Sequence, residues 1–63
     1  MDYIDVSAAV DKDCEASGIY ERTKDVLKLG IAFQYGHIGL IGSKADVERI
    51  LSEMQDALKE LTQ

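Results

Sequence analysis

The sequence predicts a small α+β domain: a three-stranded, mainly antiparallel sheet packed by a C-terminal amphipathic helix, in the order β-α-β-β-α. Two observations carry the prediction. Apolar residues recur every three or four positions from Val47 to Leu61, the period of one helix face. Large apolar residues occupy every second position from Leu27 to Phe33, the period of a strand with one buried face.

Taken in order, Tyr3 to Val10 reads as the first strand, with Ile4, Val6, Ala8 and Val10 alternating with Tyr3, Asp5, Ser7 and Ala9. Asp11 to Lys24 reads as helix, in two pieces. Asp11 or Asp13 offers an N-cap, Ser17-Gly18 interrupts, and Ile19, Thr23 and Val26-Leu27 resume a helical spacing. Val26 to Gly42 reads as two strands. Gln34-Tyr35-Gly36-His37 forms the turn, with Gly36 free to take a positive φ, and Ile38 to Ile41 returns. Gly30, Gly39 and Gly42 leave flat spots where another element can approach.

Ser43 with Asp46 is a capping-box arrangement that opens a helix over 44–61; Asp46 and Glu48 near its start and Lys59 near its end complement the helix dipole. Its stripe of Val47, Ile50, Leu51, Met54, Ala57, Leu58 and Leu61 alternates threes and fours as a coiled-coil seam does, but spans barely two and a half heptads. Packing on the sheet is the expected use. Truncating Leu51 or Met54 to Ala is then expected to cost about 2–5 kcal/mol each. The element order resembles a ferredoxin-like half-sandwich lacking its last strand.

A chain of 63 residues, without proline, linker or repeat, makes one compact domain, 1–63. At this size folding hides only about 60% of the unfolded chain's surface, so added stabilisation is expected. Cys14 is the only cysteine and His37 the only histidine, which excludes an intrachain disulfide and a four-cysteine zinc site. Self-association, most simply as a dimer, or another protein is the expected supplement. The lone thiol, and an acidic start without a basic and apolar leader, point to the cytoplasm of a cell or a host cell. The most apolar window, Val26 to Gly42, is too short and too polar to span a membrane comfortably.

The net charge is −5, and all of it lies in the first third. Residues 1–21 carry Asp2, Asp5, Asp11, Asp13, Glu15 and Glu21 against Lys12; the remaining residues balance acids and bases. Direct nucleic-acid binding is disfavoured, because neutralising phosphates needs surplus Lys and Arg.

No constellation for catalysis emerges. His37 reads as a polar turn residue, with no nucleophile at a telling distance in sequence. Acidic neighbours keep Cys14 from thiolate character. Asp11-x-Asp13-x-Glu15 has the start of a calcium loop, yet Ala16 and Arg22 stand where its glycine and bidentate glutamate belong. Gly36, Gly39 and Gly42 match neither the dinucleotide nor the P-loop spacing. No cofactor or metal is expected.

The sequence therefore points to a non-enzymatic accessory, inhibitor or regulator that binds another protein. The candidate contact residues are Asp11, Asp13, Glu15, Tyr35 and His37. One alternative is an acidic decoy imitating DNA, of the phage host-takeover or anti-defence kind. The other is a dimeric sensor binding a small ligand at Gly39, Gly42, Ser43 and Lys44, where the helix start could hold an anion.

Overall fold

Three antiparallel strands in sequential order carry one long helix at their C-terminal end. The structure, a computed structural model, describes residues 3–62. Strand β1 spans Glu15–Glu21, β2 Val26–Phe33, β3 Gly36–Gly42, and helix α1 Lys44–Leu61. The central strand β2 pairs with β1 from Val26 to Ala32 and with β3 from Leu27 to Phe33.

The period-two pattern of β2 sets which face is covered. Leu27, Leu29, Ile31 and Phe33 fall on one face with Tyr20, Gly18 and Ala16 of β1 and with Leu40 and Ile38 of β3. Helix α1 lies on this face: a Cβ added at Gly42 would sit 3.6 Å from Val47 Cγ2. Val47, 5% exposed, is the only buried hydrophobic residue among the described residues. Ile50 and Leu51 are half-buried, and beyond them the stripe emerges, with Met54 at 58%, Leu58 at 60% and Leu61 at 83% exposure. The sheet thus covers only the first turns of an 18-residue helix.

Two expectations are corrected. No helix forms over residues 11–24, because Glu15–Glu21 is strand β1. Gly18, read as a helix interruption, pairs with Leu29, and a Cβ there would come within 2.8 Å of Leu29 Cδ2. The glycine makes room for a large side chain across the sheet, a long-range demand that local spacing does not reveal. The carboxylate of Asp11 accepts from the Asp13 amide at 2.9 Å, an Asx-turn in place of a helix cap. Residues 3–10 form no strand either. Their alternation favours an extended chain, but a strand also needs a neighbour for its backbone, and this segment pairs with none. The order is therefore β-β-β-α, which departs from the ferredoxin-like order.

The two hairpin loops have different chemistry. Between β1 and β2, the Glu21 carboxylate accepts from Thr23 Oγ1 (2.6 Å), Thr23 N (3.3 Å) and Lys24 N (2.9 Å). Asp25 closes that loop at φ 52°, a left-handed conformation that Asp tolerates better than most residues. Between β2 and β3 only Gln34 and Tyr35 intervene, and Gly36 takes the positive φ, 156°.

Candidate functional site

At the β2–β3 hairpin end of the sheet, the Asx-turn folds the N-terminal segment back. Cys14 N donates to Asp11 O (3.2 Å), and Cys14 Sγ lies 3.7 Å from Ala9 O and 3.6 Å from Asp11 Oδ1. The half-buried thiol pins the turn from inside. An open cleft of about 800 Å³ results, lined by Asp11, Asp13, Glu15, Phe33 and Tyr35 among others. Four of the five sequence-predicted contact residues thus surround one cleft. Tyr35, 87% exposed, stands at its rim. Three carboxylates, acceptor-only when ionised, beside an exposed ring suit Lys and Arg side chains through charge-assisted hydrogen bonds and cation–π contact.

His37 does not line this cleft and lies on the face of the sheet opposite helix α1. It pairs with Ala32, which pairs with Glu15, so Glu15 and His37 flank Ala32 on the face that α1 leaves bare. The next same-face row across the sheet is Ser17, Gly30 and Gly39, and the next Ile19, Lys28 and Ile41. The middle row is flat, because Cβ atoms at Gly30 and Gly39 would meet the carbonyl oxygens of Ile38 and Leu29, each at 3.3 Å. A shallow hollow of about 400 Å³ opens here beside Lys28 and His37.

The residues of the alternative ligand site do not converge. Gly39 belongs to the bare face and Gly42 to the helix face, since three positions along a strand reverse the side. The helix start is already served by the chain: Ser43 Oγ accepts from Asp46 N (3.1 Å) and Asp25 Oδ1 from Lys44 N (3.2 Å). Lys44 Nζ pairs with Glu48 Oε1 at 2.6 Å, an interaction that raises its pKa. An incoming anion would face Asp25 and Glu48.

Asp25 also accepts from Tyr20 Oη at 3.0 Å, and this hydrogen bond to the neutral phenol holds the Tyr20 pKa above its ordinary value. One carboxylate therefore ties the β1–β2 loop, strand β1 and the helix start together. Sequence reasoning did not single out Asp25, Tyr20 or Glu21. The available signal was the run of five polar residues Glu21-Arg22-Thr23-Lys24-Asp25 between two strand-forming segments, a hairpin-loop signature.

Among the described residues, no three of His, Cys, Asp and Glu group as metal ligands, and no helix is long and apolar enough to cross a membrane. The chain matches no protein-family model, and neither a curated protein nor a solved structure is detectably similar to it.

Proposed function

We propose that the chain is a small, non-enzymatic protein-binding module, an accessory, inhibitor or regulator, that takes a basic segment of its partner at the hairpin end of the sheet. The observation that carries the reading is the convergence of Asp11, Asp13 and Glu15 around the exposed Tyr35 in one open cleft. An open, acidic, aromatic-rimmed surface favours extended contact with another macromolecule over enclosure of a small substrate. Ionised carboxylates there steer a basic partner and set a salt-dependent encounter rate.

The DNA-imitating alternative needs carboxylates spread along one face like phosphates. Glu21 sits at the far end of β1 with its oxygens committed to Thr23 and Lys24, and Asp5 does not line the cleft, which leaves three carboxylates there. Asp2 lies outside the described residues. The protein-binding reading is the better supported.

The test compares capture from native lysate by the wild type and by a triple variant, Asp11→Asn, Asp13→Asn and Glu15→Gln. Asn keeps the oxygen the Asx-turn needs, so charge is removed while the turn is kept. A partner that is lost from the variant, and that salt elutes from the wild type, supports the reading. Identical capture by both, with the same salt dependence, refutes it.

A further inference from the structure

The chain exposes 5923 Å². A compact monomer of 7.0 kDa exposes about 4,000 Å² by the usual scaling. The excess is about 1,900 Å². The radius of gyration is 13.6 Å, against about 11 Å for a compact domain of this length. A standard interface removes about 800 Å² per partner and obligate dimers about 1,000–2,500 Å². That surplus is shared between the unpaired segment 3–13, nearly all of it exposed, and the uncovered part of α1.

The share on α1 forms one continuous stripe. Val47, Leu51, Met54, Leu58 and Leu61 fall on an unbroken heptad seam, and the sheet covers only its beginning. The positions flanking the uncovered part, Ile50, Gln55, Ala57 and Thr62, are uncharged. In a chain of net charge −5, the helix keeps its charges at Lys44, Asp46, Glu48, Arg49, Glu53, Asp56, Lys59 and Glu60, off the uncovered stripe. A second copy meets that stripe without bringing like charges together.

We propose that Leu51, Met54, Leu58 and Leu61 form the interface of a two-fold homodimer in which the α1 helices pair antiparallel. In this register Leu51 of one helix lies against Leu61 of the other, and Met54 against Leu58, while Val47 stays on its own sheet. Gln55 and Ala57 meet their own symmetry mates, so neither flank opposes two charges. The antiparallel sense also sets helix dipoles head to tail. The proposal is independent of the acidic cleft, whose lining includes none of these residues.

The test is sedimentation equilibrium at micromolar concentration with far-UV circular dichroism. The wild type is expected at about 14 kDa, twice the chain mass, with a melting temperature that rises with concentration. Met54→Lys and Leu58→Glu each bury an unpaired charge twice in a homodimer and weaken it by about 100-fold or more. Mixing the two variants restores a dimer, because one Lys then faces one Glu across the Met54–Leu58 layer and the other such layer is unchanged. The mixture remains informative if either variant alone is unfolded, since helicity then returns only on mixing. A monomeric wild type with a cooperative, concentration-independent melt overturns the proposal. So do single variants that dimerise like the wild type, or a mixture that gains neither mass nor helicity. An assembly that forms only with a different protein also overturns it.

Discussion

Val47→Ala is the perturbation that most directly tests how the helix is held. Val47 is the only buried hydrophobic residue among those described, and its Cγ2 lies over Gly42. The change deletes two buried carbons, worth about 0.8 kcal/mol each in transfer free energy. Residual cavity adds to that cost. Alanine's better helix propensity returns up to about 0.7 kcal/mol. The net loss is about 1–2 kcal/mol, a substantial share of the roughly 3–9 kcal/mol expected for a domain of this size. Met54→Ala is the control. Spacing alone makes Met54 equivalent to a core position, but at 58% exposure most of its side chain is already in water within one chain. Its intrachain cost is therefore about 1 kcal/mol or less. Urea denaturation at high dilution, followed by circular dichroism, measures both. The expected order is a clear drop in midpoint for Val47→Ala and a small one for Met54→Ala, with the latter growing at concentrations where chains pair. An unchanged midpoint for Val47→Ala would refute the packing of α1 on the sheet.

Two further outcomes follow from the glycines and from the β1–β2 loop. Gly42→Ala meets only Val47 Cγ2 at an ordinary 3.6 Å and should be neutral or stabilising by up to about 1 kcal/mol. Gly39→Ala presses on the Leu29 carbonyl at 3.3 Å and Lys28 Cε at 3.4 Å and should cost about 1–3 kcal/mol; denaturant midpoints in the opposite order would contradict the sheet geometry. The Glu21 pKa is lowered, first by the hydrogen bond from Thr23 and then by the backbone of Lys24. Its contribution is thus present above the unfolded-state carboxylate pKa and is lost as pH falls through the lower folded value. Glu21→Gln should flatten the acid limb of a stability–pH curve, and an acid limb identical to that of the wild type would show that the clamp does not form.

Strands β2 and β3 and helix α1 were legible in the sequence because each carries its own period and a sharp boundary. Leu27 to Phe33 alternates, Gly36 closes the turn, and Ser43 caps the helix through the Asp46 amide. Residues 3–24 were not, because their conformation is decided elsewhere in the chain. Gly18 is required by Leu29, and the loop from Arg22 to Asp25 is held by the Glu21 carboxylate on the Lys24 amide and by the Asp25 carboxylate on the distant Lys44 amide. Local spacing registers such residues as helix breakers and caps. The contact residues were legible as residue types, whereas their grouping was not. Asp11 and Tyr35 are far apart in sequence and share a cleft only because the Asx-turn returns the chain to the hairpin.

The acidity of the first third accordingly divides by geometry rather than by position. Glu21 is a structural carboxylate, bound to Thr23 and Lys24. Asp11 is half structural, since one oxygen holds the turn. Asp13 and Glu15 make no side-chain hydrogen bond or ion pair among the described residues, and both line the cleft. Carboxylates left without an internal partner add repulsion to the fold and contribute nothing to holding it. Basic groups brought by a partner relieve that repulsion. The same logic governs the apolar surface. Ile4, Val6 and Val10 alternate along a segment with no strand beside it, and Met54, Leu58 and Leu61 continue a seam with no helix against it. Both patterns have the periodicity of packed structure without the packing. The unmatched charge and the unmatched apolar stripes sit on separate residues, so a basic partner and a second copy of the chain can be bound without competing for the same side chains.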